Sequence, residues 1–197
     1  IGVLSVAIAS TLGIIFGSVA GFYGGRIDNI LMRMLDIYQS IPAMLLSIAL
    51  AAALGPGINN AILAIGISTM AEYARMIRAQ ILTVREREYV EAARAINAGD
   101  FRIVTKHIIP NALAPLIVSI TMNIGNSILA AATLSFIGLG AQPPLPEWGA
   151  MLSAGRAYMR DYGYLVVIPG ICIMISVLAF NLLGDGLRDA LDPKMKN

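Results

Sequence analysis

A chain of 197 residues that is 57% hydrophobic and 13% charged, with a net charge of +2 and a mean hydropathy of +0.75, lies far from the balance of a soluble domain and reads as a membrane protein. The small positive charge gives no ground for a nucleic-acid partner. A single cysteine, Cys172, excludes an internal disulfide, and a single histidine, His107, excludes a His/Cys metal cluster, so Cys172 in its apolar run reads as a packed small residue.

From Ile1 to Gly25 there is no charge, which is long enough to span a bilayer, and no basic segment or cleavage pattern marks a signal peptide. The expectation is a fragment that begins within or just before a transmembrane helix. Gly13, Gly17, Gly21 and Gly25 recur at every fourth position, leaving a stripe without side chains against which another helix can pack closely. The stretch GRIDNILMRMLD, ending at Asp36, is charged and amphipathic and suits a short interfacial segment. Ile37 to Ala71 then carries no charge and is too long for one helix. GPGINN at Gly55–Asn60 divides it into a membrane hairpin with spans at 37–54 and 60–81 and an external tip. Glu72, Arg75 and Arg78 follow on one helical face. The spacing predicts a Glu72–Arg75 pair near the interface with Arg78 reaching to the headgroups, and the competing reading is a proton relay or a substrate contact.

Next comes the most polar part of the chain, in which Arg85, Arg87, Arg94, Arg102 and Lys106 interleave with Glu86, Glu88, Glu91 and Asp100. Such charge density cannot cross a hydrocarbon core. Good helix formers from Glu86 to Ala98 predict a helix of about three turns, roughly 18 Å long. Tyr89, Val90, Ala93 and Ile96 recur along one narrow face, with Glu88, Glu91 and Arg94 around it. So short a helix is marginal alone in water and calls for a protein partner; the plainer alternative is a solvated helix held by its own ion pairs.

Pro110 then suits the first turn of a span at 110–134, with Pro115 within reach of that turn, and His107 reads as a loop or interface residue. The Gly- and Pro-rich segment 138–161 is expected outside, with a short helix around Trp148 to Tyr158, and a last span at 162–184 returns the tail to the polar side. With the charged loop 82–109 inside, twelve of the fourteen Lys and Arg fall on the inner side and only Arg156 and Arg160 outside. That asymmetry places the loop and the C-terminus in the cytoplasm, leaving five spans with Ile1, at the head of a span over 1–25, outside.

The run EYVEAARAINAGDFRIVTKHIIPNALAPLI resembles the cytoplasmic EAA loop of ABC-transporter permeases, with Glu91, Ala92 and Ala93 at the EAA positions and Ile109–Pro110 at the closing apolar-proline pair. AGFYGGRIDNILMRMLD, LSFIGLGAQPPLPEWGAML and NLLGDGLRDALDPK resemble stretches of the dipeptide, oligopeptide and nickel branch of these permeases. The resemblance implies an all-α polytopic membrane helical bundle of the type I ABC importer kind, a single permease domain over 1–197, with a further helix before Ile1. It implies that Tyr89, Val90, Glu91, Ala92, Ala93, Ile96, Asn97 and Gly99 dock on a separate ATP-hydrolysing subunit. Glu91 would supply a charged contact or orient the loop, and Ala92 and Ala93 would permit close approach, so a larger side chain at Ala93 is expected to uncouple ATP hydrolysis from transport. Asn97 stands where the family carries glycine, and Gly99 follows two residues on. Asparagine ranks after glycine for a left-handed helix end, so the turn is expected to form.

The other implied partners are a second homologous permease subunit, an extracytoplasmic solute-binding protein and the lipid bilayer of the cell membrane. No G-x-x-x-x-G-K-[ST] motif occurs, so the chain is expected to bind no nucleotide or other cofactor, to hold no metal, and not to be an enzyme. Two rivals stand beside this reading. An intramembrane serine protease needs a histidine within the membrane, whereas His107 lies beside charged residues at a boundary. A channel or gradient-driven secondary transporter needs intramembrane acids, of which the spans offer Glu72 alone.

Overall fold

The computed structural model describes residues 1–191, and among these every regular element is helical. The charge-free N-terminal run forms α1 (Gly2–Tyr23), which ends where Gly24 turns to φ +65°. α2 (Gly25–Gln39) and α3 (Ala43–Leu54) follow, bent by 81° about Ser40–Pro42. α4 (Ile58–Val84) returns through the bundle, and the charged loop carries α5 (Glu88–Ala95). α6 (Asp100–Ile103), a π-helical turn (Val104–Ile108) and α7 (Ile109–Phe136) run together as one rod of 37 residues. α8 (Trp148–Gly155), a 3-10 turn (Arg156–Tyr158) and α9 (Tyr164–Leu191) complete the described chain.

The most extensive packing is between α1 and α4. It is built on the glycine stripe: a Cβ at Gly17 would stand 2.9 Å from Ile77 Cγ2, one at Gly21 3.0 Å from Ile81 Cβ, and one at Gly66 on α4 2.9 Å from Ile8 Cβ. Gly13 lies equally close to Tyr73 and Ala74. Gly25 does not join this stripe. The helix has already broken, its φ is +54°, and nothing surrounds its missing Cβ.

The helix expected over 37–54 is shorter than a span, and the amphipathic segment before it packs on α4. α3 has only 12 residues, about 18 Å, too short to cross a hydrocarbon core of about 30 Å alone. α2 runs antiparallel along α4, tied by Asp28 to Arg78, by Asp36 to Arg75, and by the Tyr38 hydroxyl donating to the Ile67 carbonyl at 2.7 Å. The acids that make α2 look interfacial in the sequence are thus matched by arginines of α4, and neither partner has to reach the headgroups. Arg75 Nη2 donates to Asp36 Oδ1 at 2.7 Å, so the expected Glu72–Arg75 pair is not formed. Arg78 grips Asp28 through Nε and Nη2, the latter at 2.6 Å, in place of the expected reach to lipid.

Among the described residues three helices are long and apolar enough to cross a membrane, or four if the bent α2–α3 pair is one span. α4 is long enough at 27 residues but carries Glu72, Arg75 and Arg78, and it is sheathed by α1, α3 and α7. α7 is longer than the expected 110–134, and Pro115 sits inside it, not in its first turn. Likewise α9 extends to Leu191, past the expected end of its span, while Lys194 and Lys196 lie outside the described residues.

At the end opposite the charged loop, α8 lies against α7 and α9, with Gly149 on Ala132 and Gly155 on Leu165. Glu147 caps it, accepting from the Ala150 amide at 2.9 Å. The tip of the hairpin joins the same end through the Gly57 amide, which donates to the Leu139 carbonyl at 3.2 Å.

Candidate functional site: the loop helix

α5 is shorter than the three turns expected, spanning eight residues. Both of its ends have a local cause. After α4 ends at Val84, the Arg87 amide donates to the Val84 carbonyl, and Arg87 itself is extended (φ −81°, ψ 144°), so the new helix starts only at Glu88. At the other end the Ala98 amide donates to Ala93 and the Asn97 amide to Arg94, at 3.1 and 2.8 Å. This pair of bonds is a Schellman cap with Asn97 as its left-handed residue, φ 57°. Asn97, not Gly99, therefore makes the turn. Gly99 has φ −64° and starts α6 as its N-cap.

Two faces of α5 differ sharply. Val90 (0% exposed) and Ala93 (6% exposed) point into the main core with Phe22 of α1, Ile81 and Val84 of α4, and Ile103 and Ile108 of the rod. The Arg94 guanidinium lies 5.7 Å from the centre of the Phe22 ring, and Arg85 Nη1 donates to the Gly21 carbonyl at 3.0 Å. The loop helix is thereby fastened to the ends of α1 and α4 by packing and by charge.

The opposite face is open. Glu88, Tyr89, Glu91 and Ala92 are exposed, Ile96 is 80% exposed and Phe101 is 83% exposed. A cleft of about 700 Å³ beside Tyr89 is lined by Val84, Glu86, Arg87, Glu88 and Asn111. Large apolar side chains thus stand exposed among charged ones on this face.

Of the residues expected to dock a partner, Tyr89, Glu91, Ala92, Ile96, Asn97 and Gly99 are available on the surface, and Val90 and Ala93 are not. The direct-contact role expected of Ala93 is corrected to an anchoring one, because its methyl group is already enclosed by the chain's own core. Phe101 was not among the expected residues. Its signal was an aromatic residue between Asp100 and Arg102, where no core lies within reach. His107 falls in the π-helical turn, where its carbonyl accepts from Asn111 Nδ2 at 2.7 Å.

The loop helix is thus fastened on one side, open on the other, and joined through a single capped turn to a helical run of 37 residues. The whole arrangement has a counterpart among ABC transporters. A chain of the MetNI methionine ABC transporter in an inward-facing conformation matches 97% of this chain and 93% of its own length at a TM-score of 0.67, with 20% identity. A chain of an amino acid ABC transporter matches at 0.63 with 16% identity, over 96% of this chain and 90% of its own.

Sequence comparison places the chain more closely. Residues 13–197 match the family described as the binding-protein-dependent transport system inner membrane component, and the chain belongs to that family. It is 47% identical over 197 residues to the di/tripeptide transport system permease protein of Pseudomonas aeruginosa, covering 100% of this chain and 65% of the relative. It is 49% identical over 193 residues to the probable D,D-dipeptide transport system permease protein of Escherichia coli, covering 98% and 65%. To the glutathione transport system permease protein of Pectobacterium atrosepticum it is 44% identical over 196 residues, covering 100% and 65%. The chain thus spans just under two thirds of the length of these relatives.

Proposed function

We propose that this chain is the membrane permease subunit of an ATP-driven, binding-protein-dependent importer for short peptides or closely related solutes. The observation that carries the proposal is the division of the loop helix into a buried face (Val90, Ala93) and an exposed face (Tyr89, Ala92, Ile96), joined to the α6–α7 run by the short turn at Asn97. In this reading the exposed face seats on a separate ATP-hydrolysing subunit at the cytoplasmic side. Closure of that subunit pushes α5, and the Asn97 turn passes the push to the α6–α7 rod, whose tilt alternates access to the path. The chain binds no nucleotide itself; a second permease subunit completes the path and a solute-binding protein delivers the cargo on the α8 side. The peptide class is supported by the relatives that are 44–49% identical, which are permease proteins of di/tripeptide, D,D-dipeptide and glutathione transport systems.

The test is disulfide or short-linker crosslinking in the assembled complex, from cysteines placed singly at Ala92, Ile96 and Val90. Crosslinks to the ATPase subunit from Ala92 and Ile96, with none from Val90, are expected. Labelling of Ala92 and Ile96 by an impermeant reagent from the outside of intact cells would overturn the reading.

A further inference from the structure

The middle of the bundle carries a polar seam that packing does not use. Glu72 stands near the centre of α4, is exposed, and has no ion-pair partner among the described residues, since Arg75 is engaged by Asp36. A single acidic side chain facing hydrocarbon costs about 2.5–3.5 kcal/mol on insertion scales, which favours a polar surrounding for this face over lipid. Between α4 and α7 a cavity of about 140 Å³ is lined by Glu72 together with Thr69, Tyr73, Asn123, Asn126 and Ser127. Tyr73 is 1% exposed, and its hydroxyl is buried beside Asn123. Among the described residues no basic side chain lines this cavity, which leaves Glu72 free to take a cationic group from a ligand.

The seam continues toward the loop side. Asn126 Nδ2 donates to Asn123 Oδ1 at 3.1 Å, and Asn123 Nδ2 to Ser119 Oγ at 3.3 Å, a ladder along one face of α7. Asn123 and Asn126 also line a second, open space of about 730 Å³ that includes Ser119, Gln80, Asn111 and Arg188. From Asn126 to Asn111 this groove is about 22 Å long. Neutral amides and hydroxyls exchange hydrogen bonds with peptide groups without fixing a sequence, and a lone carboxylate is selective for a positive charge.

We propose that Glu72, with Tyr73, Asn123 and Asn126, forms a station on the translocation path that takes the protonated amino terminus of the passing peptide. The asparagine–serine ladder of α7 then receives its amide groups on the way to the loop side. This assignment rests on the permease reading above and deepens it, since it names the substrate group that the path recognises.

The test uses the complete transporter, with its second permease, ATPase subunits and binding protein, in proteoliposomes. Uptake of trialanine and of N-acetyl-trialanine is measured with the binding protein saturated by each probe. Glu72→Gln is expected to lower trialanine uptake about tenfold, the loss of one charge-assisted hydrogen bond, while leaving N-acetyl-trialanine uptake as in the wild type. Glu72→Asp should keep most of the trialanine uptake. Unchanged trialanine uptake in Glu72→Gln overturns the proposal. An equal loss for both probes overturns it too, and assigns Glu72 to packing against a neighbouring subunit. The permease reading fails on a separate result, wild-type uptake that does not depend on ATP, and the amine preference of Glu72 is read independently of it.

Discussion

α5 and α9 both turn large apolar side chains away from the bundle, yet they do so in opposite surroundings. On α5 and just beyond it, Tyr89, Ile96 and Phe101 stand among Glu88, Glu91, Arg94 and Arg102 in a loop too charged for lipid. On α9, Val167, Ile171, Met174, Ile175, Leu178 and Leu182 stand in a helix with no charge between Tyr164 and Gly184. Water makes the first exposure costly and a protein partner relieves it; lipid removes the cost of the second. In the proposed reading, exposure of apolar side chains therefore means docking in one place and solvation by lipid in the other. The buried faces agree with this, because α5 is held by a compact core patch while α9 is held mainly by its contact with α7 and by α8.

The largest effect should come from two neighbours on α5 that face opposite ways. Ala93→Trp forces an indole into the space between Phe22, Val84 and Ile103, and overpacking there is expected to cost about 3 kcal/mol. Ala92→Trp, one residue away and exposed, should leave stability unchanged. Thermal unfolding of the purified chain in detergent separates the two; equal midpoints would remove the distinction between the faces of α5. A smaller effect, on binding and not on folding, is expected from Ile96→Asp. Placing a charge in the centre of the open face should weaken ATPase capture by about 2 kcal/mol, roughly thirtyfold, with the unfolding midpoint unmoved. Titration of the ATPase subunit against the reconstituted membrane subunits checks it.

The turn that joins the two parts of the loop gives the next effect. Asn97→Val puts a β-branched residue at φ 57° and should cost about 1–2 kcal/mol, whereas Asn97→Gly should be neutral or stabilising by a few tenths of a kcal/mol. Hydrogen exchange at the Ala98 amide, which donates into α5, reports the cap directly. Equal exchange in the two variants would mean that the turn is fixed by packing and not by the conformation of residue 97.

How far these features could be read from the sequence depended on the range of the interactions. The close seam of α1 against α4 was legible in Gly13, Gly17 and Gly21, because helical spacing is a local property. Gly25 was misread with them because the break at Gly24 leaves no apolar or charge signal. The charged loop and its helix were legible too, but the helix ends were set by an extended Arg87 and a left-handed Asn97, backbone states that propensity does not specify. The partners of Arg75 and Arg78 were out of reach, since Asp36 and Asp28 lie far back in the chain and meet them only when α2 folds along α4. The burial of Val90 and Ala93 was likewise a tertiary fact, as a small face on a short helix looks the same whether it meets the chain's own core or another protein. The polar seam of α7 was hidden for a different reason. Asn111, Ser119, Asn123 and Asn126 are diluted in an apolar average, and only their helical period betrays a common face.

The smallest expected effect tests the lipid half of the comparison. Leu178 is exposed on α9, and Ile173 on the same helix is buried. In lipid the side chain of Leu178 exchanges contacts with acyl chains for contacts with other acyl chains when it is shortened. Leu178→Ala should therefore change stability by less than about 0.5 kcal/mol in a bilayer-like detergent, while Ile173→Ala should cost about 2 kcal/mol by opening a void against its neighbours. Reversible unfolding in mixed micelles measures both. If Leu178→Ala left the isolated chain unaffected but loosened the assembled transporter, the outer face of α9 would be a subunit contact. Exposure there would then carry the same meaning as on α5, with depth in the membrane deciding only which partner covers it.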